Sequence, residues 1–201
     1  MTDECPAIID WIHPPSGVEE KSLWHVLHDG ELVGFNYDPM ECRVRLEFDS
    51  PFHWEHHHLP ESMRLYLDFT GVSSMRAERG IPWPGGFPKV EGEDSLQRNE
   101  RIREYHAKWL SASMKFSDFA DELQAAFSTG DSFTVLRADL LASGAMVSMR
   151  LSGFQDEKWT EWIVRGTSLA ILLSDGRSMS VEELQKFGES YWEAWSNRSR
   201  P

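Results

Sequence analysis

The stretch ELVGFNYDPMECRVRLEFD, residues 31–49, decides the fold class of this 201-residue chain. Apolar residues occupy every second position on both sides of the Asp38-Pro39 turn: Val33, Phe35, Tyr37, Cys42, Val44, Leu46 and Phe48. Alternation with a period of two places these side chains on one face of a strand. Two such runs joined by a Pro-containing turn predict an antiparallel hairpin with one buried face and one charged face.

The same alternation recurs in three further parts of the chain, at residues 63–69, 133–152 and 159–173. Residues 133–152 predict a hairpin around Ala142-Ser143-Gly144, and residues 159–173 predict another pair of strands joined through 165–168. The run 169–173, LAILL, is apolar on both faces and therefore predicts a central or covered strand. Because residues 31–49 and 133–152 share a pattern, duplication of a half-domain is left open beside the simpler reading of independent hairpins.

Helices are expected between and after these strands. Ser16 with Glu19, and Ser180 with Glu183, have capping-box spacing, which predicts a short helix ending at Gly30 and an amphipathic C-terminal helix. A further helix is predicted from Ser117 to a stop at Gly130, and another in the first part of residues 96–115.

These patterns predict a single α+β domain over residues 1–201, with an antiparallel sheet of six to seven strands and two to four helices. A hydrophobic fraction of 40% and a charged fraction of 26% are ordinary for a globular chain of this length. Residues 76–95 contain IPWPGGFP and predict a long loop.

The formal net charge of −13 disfavours nucleic acid, whose binding depends on Lys and Arg. It suits either solubility or a basic protein partner. The sequence begins without a signal peptide and has no apolar run long enough to span a membrane, so we expect a cytoplasmic protein. Cys5 and Cys42 are then reduced thiols, and the strand pattern puts Cys42 on a buried face.

The residues His53, Glu55, His56, His57, His58 and Glu61 form the most conspicuous group of possible metal ligands. In an extended segment His56 and His58 share one face, whereas His53, Glu55 and His57 share the other. A solvated loop is the alternative, since no helix is indicated here and the spacing HExxH is absent. No other motif implies a cofactor, because the familiar nucleotide-binding and nucleophile patterns are missing.

Two further pairs of residues are candidates for function. His28 with Asp29, close to His25, could be an oriented general base or could simply order the end of a helix. Trp83 and Phe87 lie in the Pro/Gly loop, where they would either anchor a partner protein or cover the core.

Leu27-His28-Asp29-Gly30-Glu31-Leu32, followed by the hairpin pattern, resembles the opening of small bacterial β-rich families, some of them immunity proteins of toxin systems. The resemblance extends over residues 27–75. It implies a cytoplasmic inhibitor that binds a toxin domain and has no catalysis of its own.

The leading hypothesis is accordingly a non-enzymatic, protein-binding domain that uses acidic strand faces and the 76–95 loop. A small metal-dependent hydrolase is the alternative, and it requires residues 53–58 to lie near His25 or His28. A third hypothesis is a small-ligand binder with a cavity lined by some of the nine tryptophans.

Metal content tests the hydrolase hypothesis directly. If residues 53–58 hold a physiological metal, untagged protein purified without a metal column will carry it stoichiometrically, as measured by mass spectrometry. The metal will be lost in the His56→Ala/His58→Ala double variant, because both imidazoles are removed. If the purified protein carries no metal, the result favours the hypothesis of a protein-binding domain.

Overall fold

The computed structural model describes residues 19–79, 90–94, 96–98, 132–144, 146–155 and 158–198, and single positions at 100, 101, 104, 124, 125, 127, 128 and 130. Ten strands and three helices have defined bounds in this part of the chain. They are β1 (Glu19–Ser22), α1 (Trp24–Leu27), β2 (Glu31–Asp38), β3 (Arg43–Asp49), α2 (Pro51–His56), β4 (Leu65–Thr70), β5 (Ser74–Arg79), β6 (Phe133–Ser143), β7 (Met146–Gln155), β8 (Lys158–Gly166), β9 (Ser168–Leu173), β10 (Ser178–Met179) and α3 (Val181–Arg198). Residues described within 96–104 and 124–128 are helical.

All ten strands belong to one sheet, in the order β10-β9-β4-β3-β2-β6-β7-β8-β5, with β1 paired to the far end of β6. Every pairing is antiparallel. The predicted antiparallel α+β architecture is confirmed, and the sheet has more strands than the six to seven expected.

Two bent strand pairs account for much of the difference. β5 continues β4 after Gly71, which has a φ of +58°, and β9 continues β8 after Thr167. β4 pairs with β9 while β5 pairs with β8, so one antiparallel ladder turns a corner. The amide of Thr167 donates to the carbonyl of Thr70 at 2.9 Å and holds this corner. The prediction that the runs within 159–173 pair with each other was therefore wrong.

The predicted hairpin is formed by β2 and β3, and Phe35 in it lies opposite Leu46. A bulge between Leu32 and Gly34 shifts the pattern, so that Leu32 is buried and Val33 is not. In the turn, the Asp38 carboxylate accepts hydrogen bonds from the amides of Met40 and Glu41 at 2.9 and 3.1 Å.

Cys42 is exposed, contrary to the prediction that it lies on a buried strand face. Its φ of 47° ends the turn, and β3 begins only at the next residue. The side chain therefore points away from the apolar stripe that starts at Val44.

The N-terminal helix is much shorter than predicted. Residues 19–22 form β1 and pair with the end of β6, with Lys21 opposite Leu140. Only Trp24–Leu27 is helical, and residues 16–18 lie outside the described residues. Hydrogen bonds to a distant strand have overridden the local capping pattern.

The histidine-rich segment is a helix and not the loop that the sequence suggested. Ser50 occupies the N-cap position of α2 and Pro51 its first turn. Proline is favoured there because its missing N–H would have no partner in a first turn and its φ is already helical. The dipeptide Ser50-Pro51 was the overlooked signal.

Residues 76–79 of the loop predicted over 76–95 belong instead to β5, which extends through Arg79 and pairs with β8. Residues 80–89 and 95 lie outside the described part of the chain.

The core lies on the inner face of the sheet, where Leu46, Leu67, Phe133 and Trp162 are fully buried. The three helices with defined bounds come together at one side of this core. No helix within the described residues is long and apolar enough to cross a membrane.

The start of α3 confirms the predicted capping box. The amide of Ser180 donates to the Glu183 carboxylate at 2.7 Å, and the amide of Glu183 donates to the Ser180 hydroxyl at 3.1 Å. Eight residues after Ser180, Gly188 is buried against α1. A Cβ atom at Gly188 would lie 2.6 Å from both the carbonyl carbon and the carbonyl oxygen of His25.

Replacing Gly188 by alanine is expected to destabilise the protein. Alanine favours a helix by about 1 kcal/mol over glycine, but overpacking against the rigid backbone of His25 costs about 1–3 kcal/mol. The two terms leave an expected net loss of up to about 2 kcal/mol in the free energy of unfolding. Urea unfolding followed by tryptophan fluorescence measures it. Glu189→Ala, at the exposed neighbouring position, is the control and should change stability little; equal stability of Gly188→Ala and wild type would contradict the tight contact.

Candidate functional site

α3 brings the two histidine-containing segments of the sequence together. On one side it contacts α1, where Trp192 stacks on Trp24 with ring centroids 5.1 Å apart. The indole N–H of Trp192 also donates to the carbonyl of His25 at 2.8 Å. These contacts hold the second half of α3 against α1.

On its other side α3 contacts α2 through Tyr191. The Tyr191 ring lies 4.9 Å from His53, 5.7 Å from His56 and 6.5 Å from Phe52. Residues 191 and 192 thus attach the helix to α2 and α1, respectively.

His53 is the buried member of this group, with an exposed fraction of 1%. Its ring lies between Phe187 and Tyr191. Burial, together with the neighbouring imidazoles of His57 and His56, lowers the pKa of His53 to about 4. The carbonyl of His25 opposes this shift, although Nδ1 makes no hydrogen bond of good geometry. His53 is therefore neutral at physiological pH.

His57 stacks on Phe187 at a centroid distance of 3.7 Å. Its Nε2 lies 2.9 Å from the carbonyl oxygen of Phe187, which can only accept, so Nε2 carries the proton. Burial lowers the pKa of His57 as well. Ser190 Oγ lies 3.3 Å from the same Nε2 but donates to the Phe187 carbonyl at 3.0 Å. A protonated Nε2 cannot take a proton from Ser190, so this pair is not arranged as a nucleophile with its base.

Four of the possible metal ligands in the histidine-rich segment, His53, Glu55, His56 and His58, have different environments in the fold. His53 and His56 pack against α3, whereas Glu55 and His58 are exposed. Among the residues that the structure describes, no three His, Cys, Asp or Glu side chains converge on a position that could hold a metal ion. The structure does not bring these four together as a ligand set.

His28 and Asp29 lie on the α1 side of the same cluster. His28 Nδ1 is 3.1 Å from the Asp29 carboxylate, and the His28 ring lies 4.6 Å from Trp24 and 6.1 Å from Trp192. Asp29 has a φ of 62°, and its amide donates to the carbonyl of Val135. The pair thus ends α1 and borders the aromatic contact between α1 and α3.

Beyond these contacts the aromatic side chains reach the surface. Trp195 lies 6.0 Å from Trp192 and is 52% exposed, and Phe52 is 44% exposed. We call Phe52, Tyr191, Trp192 and Trp195 the aromatic end of α3. Exposed carboxylates follow α1, lie on α2 and flank Trp192 on α3: Asp29, Glu55 and Glu193.

The outer face of β3 and β4, predicted to be acidic, is internally neutralised. Asp68 is buried beneath Arg43 and Arg45, with one oxygen 2.6 Å from Arg43 Nε and the other 2.6 Å from Arg45 Nη2. Burial alone would raise the pKa of Asp68, but the hydrogen bonds from the two arginines lower it.

Arg64 adds a second set of paired charges on this face, at 3.3 Å from Asp49 and 3.7 Å from Glu47. The strand face that the sequence predicted as a contact surface is thus occupied by a network of ion pairs. The sequence could not show this, because the alternation reveals which residues face outward and not which of them pair across strands.

Trp83 and Phe87 lie outside the described residues. The aromatic end was missed by sequence reasoning, although its signal was present. That signal is the helical spacing of Trp192 and Trp195 in the predicted C-terminal helix. Helical spacing alone does not show how much of each side chain the rest of the fold covers.

Comparison with known proteins adds no assignment, since no protein-family model, curated protein or solved structure matches this chain.

The buried His53 predicts a pH dependence of stability. Its pKa is about 4 in the folded protein and near 6.5 in the unfolded chain, so only the unfolded chain takes up this proton between those values. Stability from this group is complete above pH 6.5 and falls by about 1.4 kcal/mol per unit as the pH decreases toward 4.

Urea unfolding between pH 4 and pH 8 checks this contribution. His53→Phe should lose less stability on acidification than wild type, because phenylalanine does not titrate. His58→Ala, which removes an exposed imidazole, is the matched control and should keep the wild-type slope. A slope that is unchanged in His53→Phe would show that another group causes the acid sensitivity.

Proposed function

We propose that this protein is a non-enzymatic, protein-binding domain whose contact surface is the aromatic end of α3. The observation that supports this most strongly is the exposure of Phe52 and Trp195 beside the partly buried Tyr191 and Trp192. Tryptophan and tyrosine are enriched among the few residues that supply most of the binding energy in protein interfaces.

The contacts that fix Tyr191 and Trp192 in place favour binding. Tyr191 is fixed by ring contacts with α2, and Trp192 is fixed by its stack on Trp24 and its hydrogen bond to His25. Side chains that are already ordered lose little conformational entropy when a partner binds. Phe52 and Trp195 lie beside these ordered side chains and are supported by them.

A basic protein partner suits the distribution of charge. The net charge is −13, while the arginines of the β3–β4 face are already paired with carboxylates. Exposed carboxylates lie near the aromatic end, at Asp29, Glu55 and Glu193. Negative charge there would speed the encounter with a positively charged surface.

We further propose that the partner is a toxin domain and that this protein inhibits it. This finer assignment is supported by the resemblance of residues 27–75 to immunity proteins and by the acidic charge, which suits a basic toxin. His28 and Asp29, which carry the specific part of that resemblance, border the aromatic cluster.

The hydrolase alternative required the histidines of residues 53–58 to lie near His25 or His28. The segments do meet at α3, where the carbonyl of His25 approaches His53. Their rings, however, are used to attach α3, with His57 donating to Phe187 and His53 enclosed between aromatic rings. This use favours a structural role for the histidines.

Substitution of the exposed aromatic side chains is expected to weaken partner binding at least tenfold. Trp195→Ala and Phe52→Ala each remove a side chain that the partner would bury. Truncating a hot-spot residue costs about 2 kcal/mol or more, and about 1.4 kcal/mol already corresponds to tenfold in affinity. The measurement is calorimetric affinity for the purified partner recovered from extract of the protein's own cells.

Met40→Ala provides the matched control, because Met40 is an exposed apolar side chain at 91% on the distant β2–β3 turn. The Met40→Ala variant should bind the partner with wild-type affinity. In a separate measurement, the affinity of the wild-type protein for a basic partner should fall as the salt concentration is raised. Wild-type affinity in both aromatic variants would refute the proposed surface.

A further inference from the structure

A cleft of about 350 Å³ opens between the β9–β10 hairpin and the first turns of α3. It is lined by Leu173, Arg177, Ser178, Met179, Glu183 and Phe187. The size is at the lower end of the range of roughly 300–1,000 Å³ for ligand sites, which suits a side chain better than a large ligand.

The cleft has an apolar interior and charged walls. Leu173 is buried, and Met179 and Phe187 are half-buried. Of the two charged residues, Arg177 is already paired with Asp175 at 2.8 Å. Glu183 is held in place by the amide of Ser180, which lowers the pKa of its carboxyl. The exposed Lys186, on the same helix, also lowers this pKa. Glu183 is nevertheless the one acidic residue among those that line the cleft, and it favours a cationic group next to whatever enters.

The cleft lies on the same side of α3 as the contacts with α2. Phe187, which forms one wall, also stacks on His57, and Tyr191 follows one turn later against His56 and Phe52. From Glu183 to Trp195 the helix rises about 18 Å. A standard protein interface buries about 800 Å² and about 20–30 residues on each partner, many more residues than the four of the aromatic end. A footprint along the whole of this side of α3 comes closer to that size.

We propose that the cleft is the second anchor site of the binding surface and takes an apolar side chain of the same basic protein partner, next to a Lys or Arg that pairs with Glu183. This inference rests on the proposed function, because it extends the aromatic end along α3. Hot-spot side chains typically fill pockets on the partner in this way.

Site-specific photo-crosslinking in cells tests the footprint. The photoreactive amino acid p-benzoylphenylalanine is placed at Ser178 on the cleft, at Trp195 in the aromatic end, or at Ala170. Ala170 is exposed on β9 opposite Asp68, on the outer face of the sheet, and is the control. We expect one and the same basic polypeptide to be crosslinked from Ser178 and Trp195 and not from Ala170.

Affinity for that purified polypeptide gives the quantitative test. Ser178→Trp fills the cleft and should weaken binding at least tenfold, whereas Ala170→Trp, an equally large change elsewhere, should have no effect. Both positions are exposed, and unchanged circular dichroism and melting temperature will confirm that the variants fold.

The outcomes separate the two proposals. Crosslinking from Trp195 alone, or full affinity in Ser178→Trp, would overturn the cleft as an anchor and leave the aromatic end as the binding surface. No product from either position, together with full affinity in Trp195→Ala, would overturn both.

Discussion

The close approach of Gly188 to the backbone of His25 sets the position of α3, and the candidate surface depends on that position. With no side chain at 188, the helix reaches α1 closely enough for Trp192 to stack on Trp24 and to donate to the carbonyl of His25. The same placement brings Phe187 and Tyr191 against the histidines of α2. A larger residue at 188 would move all of these contacts together, because they belong to one rigid helix.

The histidines illustrate how one residue type can suggest chemistry in a sequence and serve packing in a fold. Neutral imidazole is flat and can stack on aromatic rings, yet it keeps a polar edge that satisfies a backbone carbonyl, as His57 does with Phe187. His53, in contrast, is enclosed by rings and loses most of its tendency to take up a proton. Burial makes these side chains part of the contact between α2 and α3.

The sequence predicted features that depend on local pattern and missed those that depend on distant partners. The β2–β3 hairpin and the capping box of α3 follow from spacing within a few residues, and both were predicted. β1 and the corner between β4 and β5 depend on strands far along the chain, so no local signal reveals them. At the candidate site, the histidine segments were recognised, but their common contact with α3 depends on tertiary structure. The exposure of Trp195 could not be predicted either, since it depends on which parts of the tertiary structure pack beside that side chain.

The bent ladder and the docking of α3 also bear on how the chain acquires its structure. The β2–β3 hairpin and the β6–β7–β8 meander join strands that are close in sequence, whereas Leu65 pairs with Leu173, about a hundred residues later. Contacts of such long range slow folding, because the entropy of closing a large loop is lost before the contacts form. Trp24 and Trp192 are even farther apart in the chain. During synthesis, the hairpin can form while the ribosome is still translating, but the aromatic end cannot exist until α3 has left the exit tunnel. The proposed contact surface can therefore form only after α3 has been translated.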